Sequence, residues 1–139
     1  MVDGDRIGER LDRLHHLVGS LDEVRAGGEG AYLADETLRA ATERRLQMAI
    51  QICIDVGAQL GSELSLPTAH DYAGVFSALA GAGHLTEELA DRLTEAAKLR
   101  NLLVHVYLDV DDRKVFAALD RLDDLRELAQ VVQRLADER

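Results

Sequence analysis

Tryptophan is absent from this chain of 139 residues, which holds only two phenylalanines, three tyrosines, one proline and one cysteine. A sole cysteine excludes an internal disulfide and suits a reducing compartment. Cys53 stands in the run Ile52-Cys53-Ile54, which reads as a small core residue rather than a nucleophile. With so little proline and so few aromatic side chains, the interior must be built of Leu and Ala, which favour helices over a sheet. No stretch approaches the ~20 apolar residues of a membrane span. The N-terminus, Met1-Val2-Asp3-Gly4-Asp5, lacks the apolar run of a signal peptide. The expectation is a soluble cytoplasmic protein, one domain over residues 1–139.

Positive charge is also scarce. Sixteen Lys and Arg stand against 26 Asp and Glu, a formal net charge of −10. Nucleic-acid affinity comes largely from cations that neutralise phosphates, so this balance argues against tight, nonspecific binding. Any phosphate-binding surface must be a local cluster. Arg39, Arg44, Arg45, Arg92, Lys98 and Arg100 are candidates for it. Asp120, Asp123, Asp124, Glu127, Asp137 and Glu138 load the C-terminal segment with negative charge.

Apolar residues recur at helical spacing in five segments. The first runs from about Asp5 to Arg25, with Ile7, Leu11, Leu14, Val18 and Leu21 in phase, and is broken by Gly27, Gly28 and Gly30, Gly27 being suited to the position after a helix end. The second spans about Asp35 to Leu60, with a stripe of Leu38, Ala41, Leu46, Ala49, Ile50, Cys53, Ile54 and Leu60, and Gly57 suited to a close helix contact. A short third covers about Tyr72 to Ala80. Thr86 is an N-cap for the fourth, with Glu87 and Glu88 at the positive end of its dipole. Asp111 or Asp112 caps the fifth, whose seam is Val115, Ala118, Leu122, Leu125, Ala129 and Val132. The fold class expected is all-α, an antiparallel bundle of four principal helices and a short one.

Several familiar chemistries find no footing. His15 and His16 are neighbours and point ~100° apart on a helix, His70 and His84 fall in connecting segments, and no metal-ligand spacing occurs. Gly27-Gly28-Glu29-Gly30 lacks the preceding strand and following lysine of a phosphate loop and reads as a turn. Asp109, Asp111 and Asp112 lack the other oxygens and the glycine of a calcium loop. No metal and no cofactor is implied.

What remains is the octapeptide Arg100-Asn101-Leu102-Leu103-Val104-His105-Val106-Tyr107 at the end of the fourth helix. It gathers a fixed cation, an amide, an imidazole and a phenol in an otherwise apolar stretch. A guanidinium offers paired donors to a phosphate, and histidine is poised to move protons near neutrality. The combination suits work on a phosphodiester. At ~100° per residue, Asn101 and His105 share a face and so do Arg100 and Tyr107, whereas Arg100 and His105 lie ~140° apart. Bending of the arginine, a helix end near Val104, or a site shared by two protomers would each bring the pair together.

This pattern of Arg, a polar residue, three more residues, then His, any residue and Tyr resembles the signature of HEPN-domain ribonucleases, above all HepT-type toxins paired with MntA-type nucleotidyltransferase antitoxins. Leu46-Gln47-Met48-Ala49-Ile50-Gln51 followed by Ile54-Asp55-Val56-Gly57, then Tyr72-Ala73-Gly74-Val75-Phe76, and Asp109-Val110-Asp111-Asp112 after the octapeptide are similar to the same family, from about Tyr32 to Asp124. The resemblance implies a homodimer with facing motifs and metal-independent cleavage of RNA, with Arg100 and His105 catalytic and Asn101 in support. It also implies a nucleotidyltransferase partner in a type II-like toxin–antitoxin pair, with Tyr107 the acceptor of AMP. A noncatalytic helical adaptor, binding a nucleotidyltransferase or a nucleotide through the same cleft, is the competing reading, and the acidic balance favours it.

Overall fold

The computed structural model describes residues 4–105 and 110–138, with side chains from Arg6 onward. Among the described residues seven α-helices follow one another: α1 (Gly4–Ala26), α2 (Glu29–Ala34), α3 (Glu36–Glu63), α4 (Tyr72–Gly81), α5 (Glu87–Val104), α6 (Asp112–Ala118) and α7 (Leu122–Asp137), the last two joined by a 3₁₀ turn over Leu119–Arg121. No strand occurs among the described residues.

Helix starts follow side-chain chemistry. Asp35, Asp71, Thr86 and Asp111 each stand just before a helix and accept a backbone N–H from its first turn, at 3.0 Å from Leu38, 2.7 Å from Gly74, 3.1 Å from Leu89 and 3.1 Å from Arg113. Each bond satisfies a donor that the helix itself cannot. The caps expected at Thr86 and Asp111 are therefore present.

Helix α3 is the axis of the molecule, packed by α1, α4, α5 and α7. That position explains why it buries more than one stripe: Thr42, Leu46, Ala49, Ile50, Ile52, Cys53, Ile54, Val56, Gly57 and Leu60 are all inside. Cys53 is 1% exposed, and burial pushes its thiol up to about 12, which makes it the inert core residue expected. Gly57 is a contact point. A Cβ there would stand 3.0 Å from Val75 Cγ1 on α4, a tight contact that the valine would have to relieve by shifting a few tenths of an ångström.

Two expectations need correction. The Gly27-Gly28-Glu29-Gly30 run is not only a turn, for α2 begins at Glu29. Gly28, with φ of 89°, makes the left-handed step, whereas Gly27 does not. A six-residue helix is marginal alone; tertiary packing holds it, because Tyr32 is fully buried with its ring 5.3 Å from that of Phe116. The fifth segment is also two helices, since the 3₁₀ turn at Leu119–Arg121 separates α6 from α7. Its apolar residues nonetheless stay on the core side, with Val115, Leu119, Leu122, Leu125, Ala129 and Val132 buried.

Candidate functional site

Helix α5 carries the octapeptide's first residues. Leu89, Leu93, Ala97 and Leu103 turn into the core, which fixes the orientation of the residues between them. Arg100 comes out half-buried toward α4. Its Nη1 donates to Tyr72 Oη at 3.3 Å and to Asn101 Oδ1 at 3.0 Å, and its guanidinium carbon lies 5.2 Å from the centroid of the Tyr72 ring. The Tyr72 ring thus offers both a face and an oxygen to one cation. Tyr72 is held in turn, because it opens α4 directly after the Asp71 cap. Arg100 Nε is buried with no hydrogen-bond acceptor among the described residues.

The partners of Arg100 are neutral. Among the described residues no carboxylate pairs with it, so its charge is not cancelled at short range. A buried donor without a partner costs about 1–3 kcal/mol, and an anion placed there would remove that cost.

His105 is positioned differently. The helix ends at Val104, and His105, at φ −88° and ψ 75°, takes the chain off the helical path while its backbone N–H still donates to Asn101 O at 3.2 Å. That helical hydrogen bond and a φ near the helical value keep the His105 side chain close to its helical direction, so the helix end at Val104 does not by itself close the angle to Arg100. Asn101, Leu102 and His105 are all exposed. Leu102, at 56%, is the exposed large hydrophobic side chain among the described residues. Tyr107 lies outside the described residues. So Arg100 and Asn101 are joined directly, and His105 caps the helix that carries them.

The expected cation patch is redrawn. Arg92 is no free cation: Nε donates to Asp124 at 2.8 Å, Nη1 to Glu88 at 2.8 Å, and Glu127 lies 3.7 Å away. The hydrogen bond to Asp124 chiefly holds the Arg92 guanidinium above its ordinary basicity. These two residues also form one wall of an apolar cavity of about 200 Å³ between α3, α5 and α7. Lys98 pairs with Glu95 at 3.0 Å and Arg39 with Asp112 at 3.4 Å. Of the six candidates, Arg44 and Arg100 share a groove, and the cation that joins them there is Arg13 of α1. Arg13 and Tyr72 are the residues that sequence reasoning missed as parts of the site. The 28 residues between Tyr72 and Arg100 left no local signal to join them.

Across the chain from His105, beyond the undescribed stretch, Asp112 faces a buried cluster on α2 and α3. Burial, then Glu43 and Asp112, push the Tyr32 phenol up to about 12. Burial and Asp112 likewise raise the Glu43 carboxyl. Both shifts mark a packed, acidic corner rather than a proton-transfer site open to substrate.

An all-α bundle whose helix α5 carries an arginine with neutral partners and ends on a histidine has the groups suited to work on a phosphodiester. The family described as ribonuclease HepT-like matches residues 9–135, and the chain belongs to it. Over 114 residues it is 34% identical to a tRNA nuclease HepT of Aphanizomenon flos-aquae, covering 81% of this chain and 72% of that protein. It is 27% identical over 130 residues to an mRNA nuclease HepT of Shewanella oneidensis, covering 93% and 97%. The fold is that of the tri-AMPylated Shewanella oneidensis HEPN toxin solved in complex with its MNT antitoxin, with a TM-score of 0.85 and 22% identity, over 96% of this chain and 99% of that one. The chain is a HepT-like ribonuclease with the all-α fold of a HEPN toxin.

Proposed function

We propose that the chain is the toxin of a toxin–antitoxin pair, a metal-independent endoribonuclease acting in the cytoplasm through Arg100 and His105. The observation that carries this reading is the short-range neutrality around Arg100: tyrosine and asparagine hold the guanidinium, and no described carboxylate competes with a phosphate for it. In the reaction, the 2′-oxygen of RNA bonds to the adjacent phosphorus as a histidine takes its proton. The bond from phosphorus to the 5′-oxygen breaks, and that oxygen takes a proton from the facing protomer's histidine. The products are a 2′,3′-cyclic phosphate and a 5′-hydroxyl. Arg100 neutralises the charge that builds on the phosphate oxygens, where a preorganised donor acts most strongly. Asn101 holds the Nη1 side of Arg100 and through its carbonyl anchors the His105 backbone.

The active species is a homodimer in which two motifs face one another. Exposed Leu102 beside Asn101 and His105 supports this, since a large apolar side chain at a polar site is readily covered by a second copy. A nucleotidyltransferase of the MntA type is the inhibitory partner, and Tyr107 is the residue it adenylylates. The added phosphate competes with RNA for the arginine cluster. The solved HEPN toxin that carries AMP and binds an MNT antitoxin supports both statements.

The test uses the purified chain, shown by intact mass to carry no AMP, with an RNA oligonucleotide and a DNA of the same sequence. Cleavage of the RNA alone is expected. Cutting of both would rule out attack by the 2′-hydroxyl.

A further inference from the structure

Arg100 does not stand alone in its groove. A depression of about 270 Å³ is lined by Arg13 of α1, by Arg44, Gln47, Met48, Gln51 and Ile52 of α3, and by Arg100 of α5. The α3 residues are spaced in steps of three and four, so they form one stripe along the helix. Three guanidinium groups therefore border one groove in a protein of net charge −10.

Among the described residues they lack an ion pair, as do Arg10, Arg45, Lys114, Arg121 and Arg134, and what sets them apart is that they converge on one groove. Arg25, Arg39, Arg92, Lys98, Arg113 and Arg126 each pair with a carboxylate within 4 Å. Arg13 and Arg44 are exposed and have no ion pair with any described residue. Gln51 is half-buried; its Nε2 donates to Asp55 at 2.8 Å, whereas its Oε1 is buried and unpartnered. Arg100 Nε is the second unsatisfied polar atom on the same lining. Met48 and Ile52 form an apolar floor against which the flat face of a base or the edge of a sugar can rest.

We propose that this groove between α1 and α3 is a second phosphate site, which takes the RNA backbone phosphate next to the one cleaved at Arg100 and His105. Arg13 and Arg44 grip that phosphate from opposite helices, and Arg100 stands at the junction of the two sites. Such a groove reconciles an acidic protein with a polyanionic substrate, because the strand meets concentrated positive charge only along this path. The proposal rests on the ribonuclease reading of Arg100 and His105, and it adds a place for the substrate that the octapeptide alone does not contain.

The experiment measures fluorescence anisotropy of a labelled 12-nucleotide RNA on the full-length His105→Ala protein, which leaves the strand uncut on that reading. The same protein carrying Arg13→Ala with Arg44→Ala is compared with one carrying Lys114→Ala with Arg134→Ala. The second pair removes the same charge from exposed positions outside the groove. The Arg13/Arg44 pair should raise Kd at least ~10-fold and reduce the slope of log K against log salt by about 0.7, the loss of one single-strand phosphate contact. The control pair should leave both unchanged, and melting curves of all three proteins should coincide. Equal weakening by both pairs would overturn the proposal in favour of general charge. Unchanged RNA binding with weakened binding of a nucleotidyltransferase would overturn it in favour of a protein-facing groove. Cleavage by the wild-type chain is assayed alongside. Groove-dependent binding without any cleavage would sink the ribonuclease reading and leave the phosphate site standing.

Discussion

Arg92 and Arg100 lie two helical turns apart on α5 and meet opposite surroundings. Arg92 points toward α7 and is enclosed by Glu88, Asp124 and Glu127. Arg100 points toward α4 and meets a phenol and an amide. The first is a clasp that joins two helices; its charge is consumed. The second keeps its charge available for an anion. In an acidic protein a cation free for an anion must first lack a carboxylate beside it, which removes Arg92, Lys98 and Arg126; of the unpaired ones, Arg13, Arg44 and Arg100 also line one groove.

Substitutions along α5 sharpen the contrast. Arg100→Ala should slow RNA cleavage by roughly 100- to 1,000-fold, the usual cost of removing one preorganised donor to transition-state charge, with little change in Tm. Arg100→Lys should recover little of it, because a point charge cannot reproduce the fork of donors; turnover measured at saturating RNA checks both. Asp124→Ala should do the reverse. The variant removes the chief partner of Arg92 and the link between α5 and α7, so the melting point should fall while the rate of cleavage holds. If Asp124→Ala cripples cleavage in a folded protein, the division between clasp and site is wrong.

Tyr72 tests how Arg100 is aimed. Tyr72→Phe keeps the ring under the guanidinium and deletes one hydrogen bond from a charged donor, worth about 1.5–3 kcal/mol, so a roughly 10- to 100-fold lower rate is expected. Tyr72→Ala should cost more than Tyr72→Phe, and equal effects would remove the ring from the account.

The smallest effect belongs to the acidic corner at Glu43. Its carboxyl pKa is raised in the fold, chiefly by burial, so between the unfolded and folded values the native state holds a proton that the unfolded chain has released. Stability from this group is therefore lost as pH rises from about the ordinary glutamate value. Glu43→Gln should be somewhat more stable than wild type at pH 7 and no different at pH 3. A wild type more stable than the variant at pH 7 would reverse the sign.

How far these features were legible in the sequence follows from their range. Thr86 and Asp111 were legible as caps because a cap acts within three residues. The stripes of α1 and α5 followed from their period, and Gly57 from the lack of a side chain where α4 crosses α3. Helix α2 was not legible, since its glycine-rich start argues locally for a break and only Tyr32 packed on Phe116 overrules it. The 3₁₀ turn before α7 escaped because the apolar seam keeps its phase through it. In the site, Arg100, Asn101 and His105 stood out by residue type. Arg92 was misjudged for want of Asp124, 32 residues away, and Arg13 was invisible because only folding packs α1 on α3 and brings Arg13 to the groove that Arg100 lines.

The most direct test of the central claim is RNA cleavage in excess EDTA by the purified chain, free of AMP by intact mass, beside His105→Ala. The account predicts products ending in 2′,3′-cyclic phosphate from the wild type and at least ~100-fold slower cleavage by the variant. Wild-type rates in the variant, or a folded and unmodified wild type that leaves diverse RNAs intact, would contradict it.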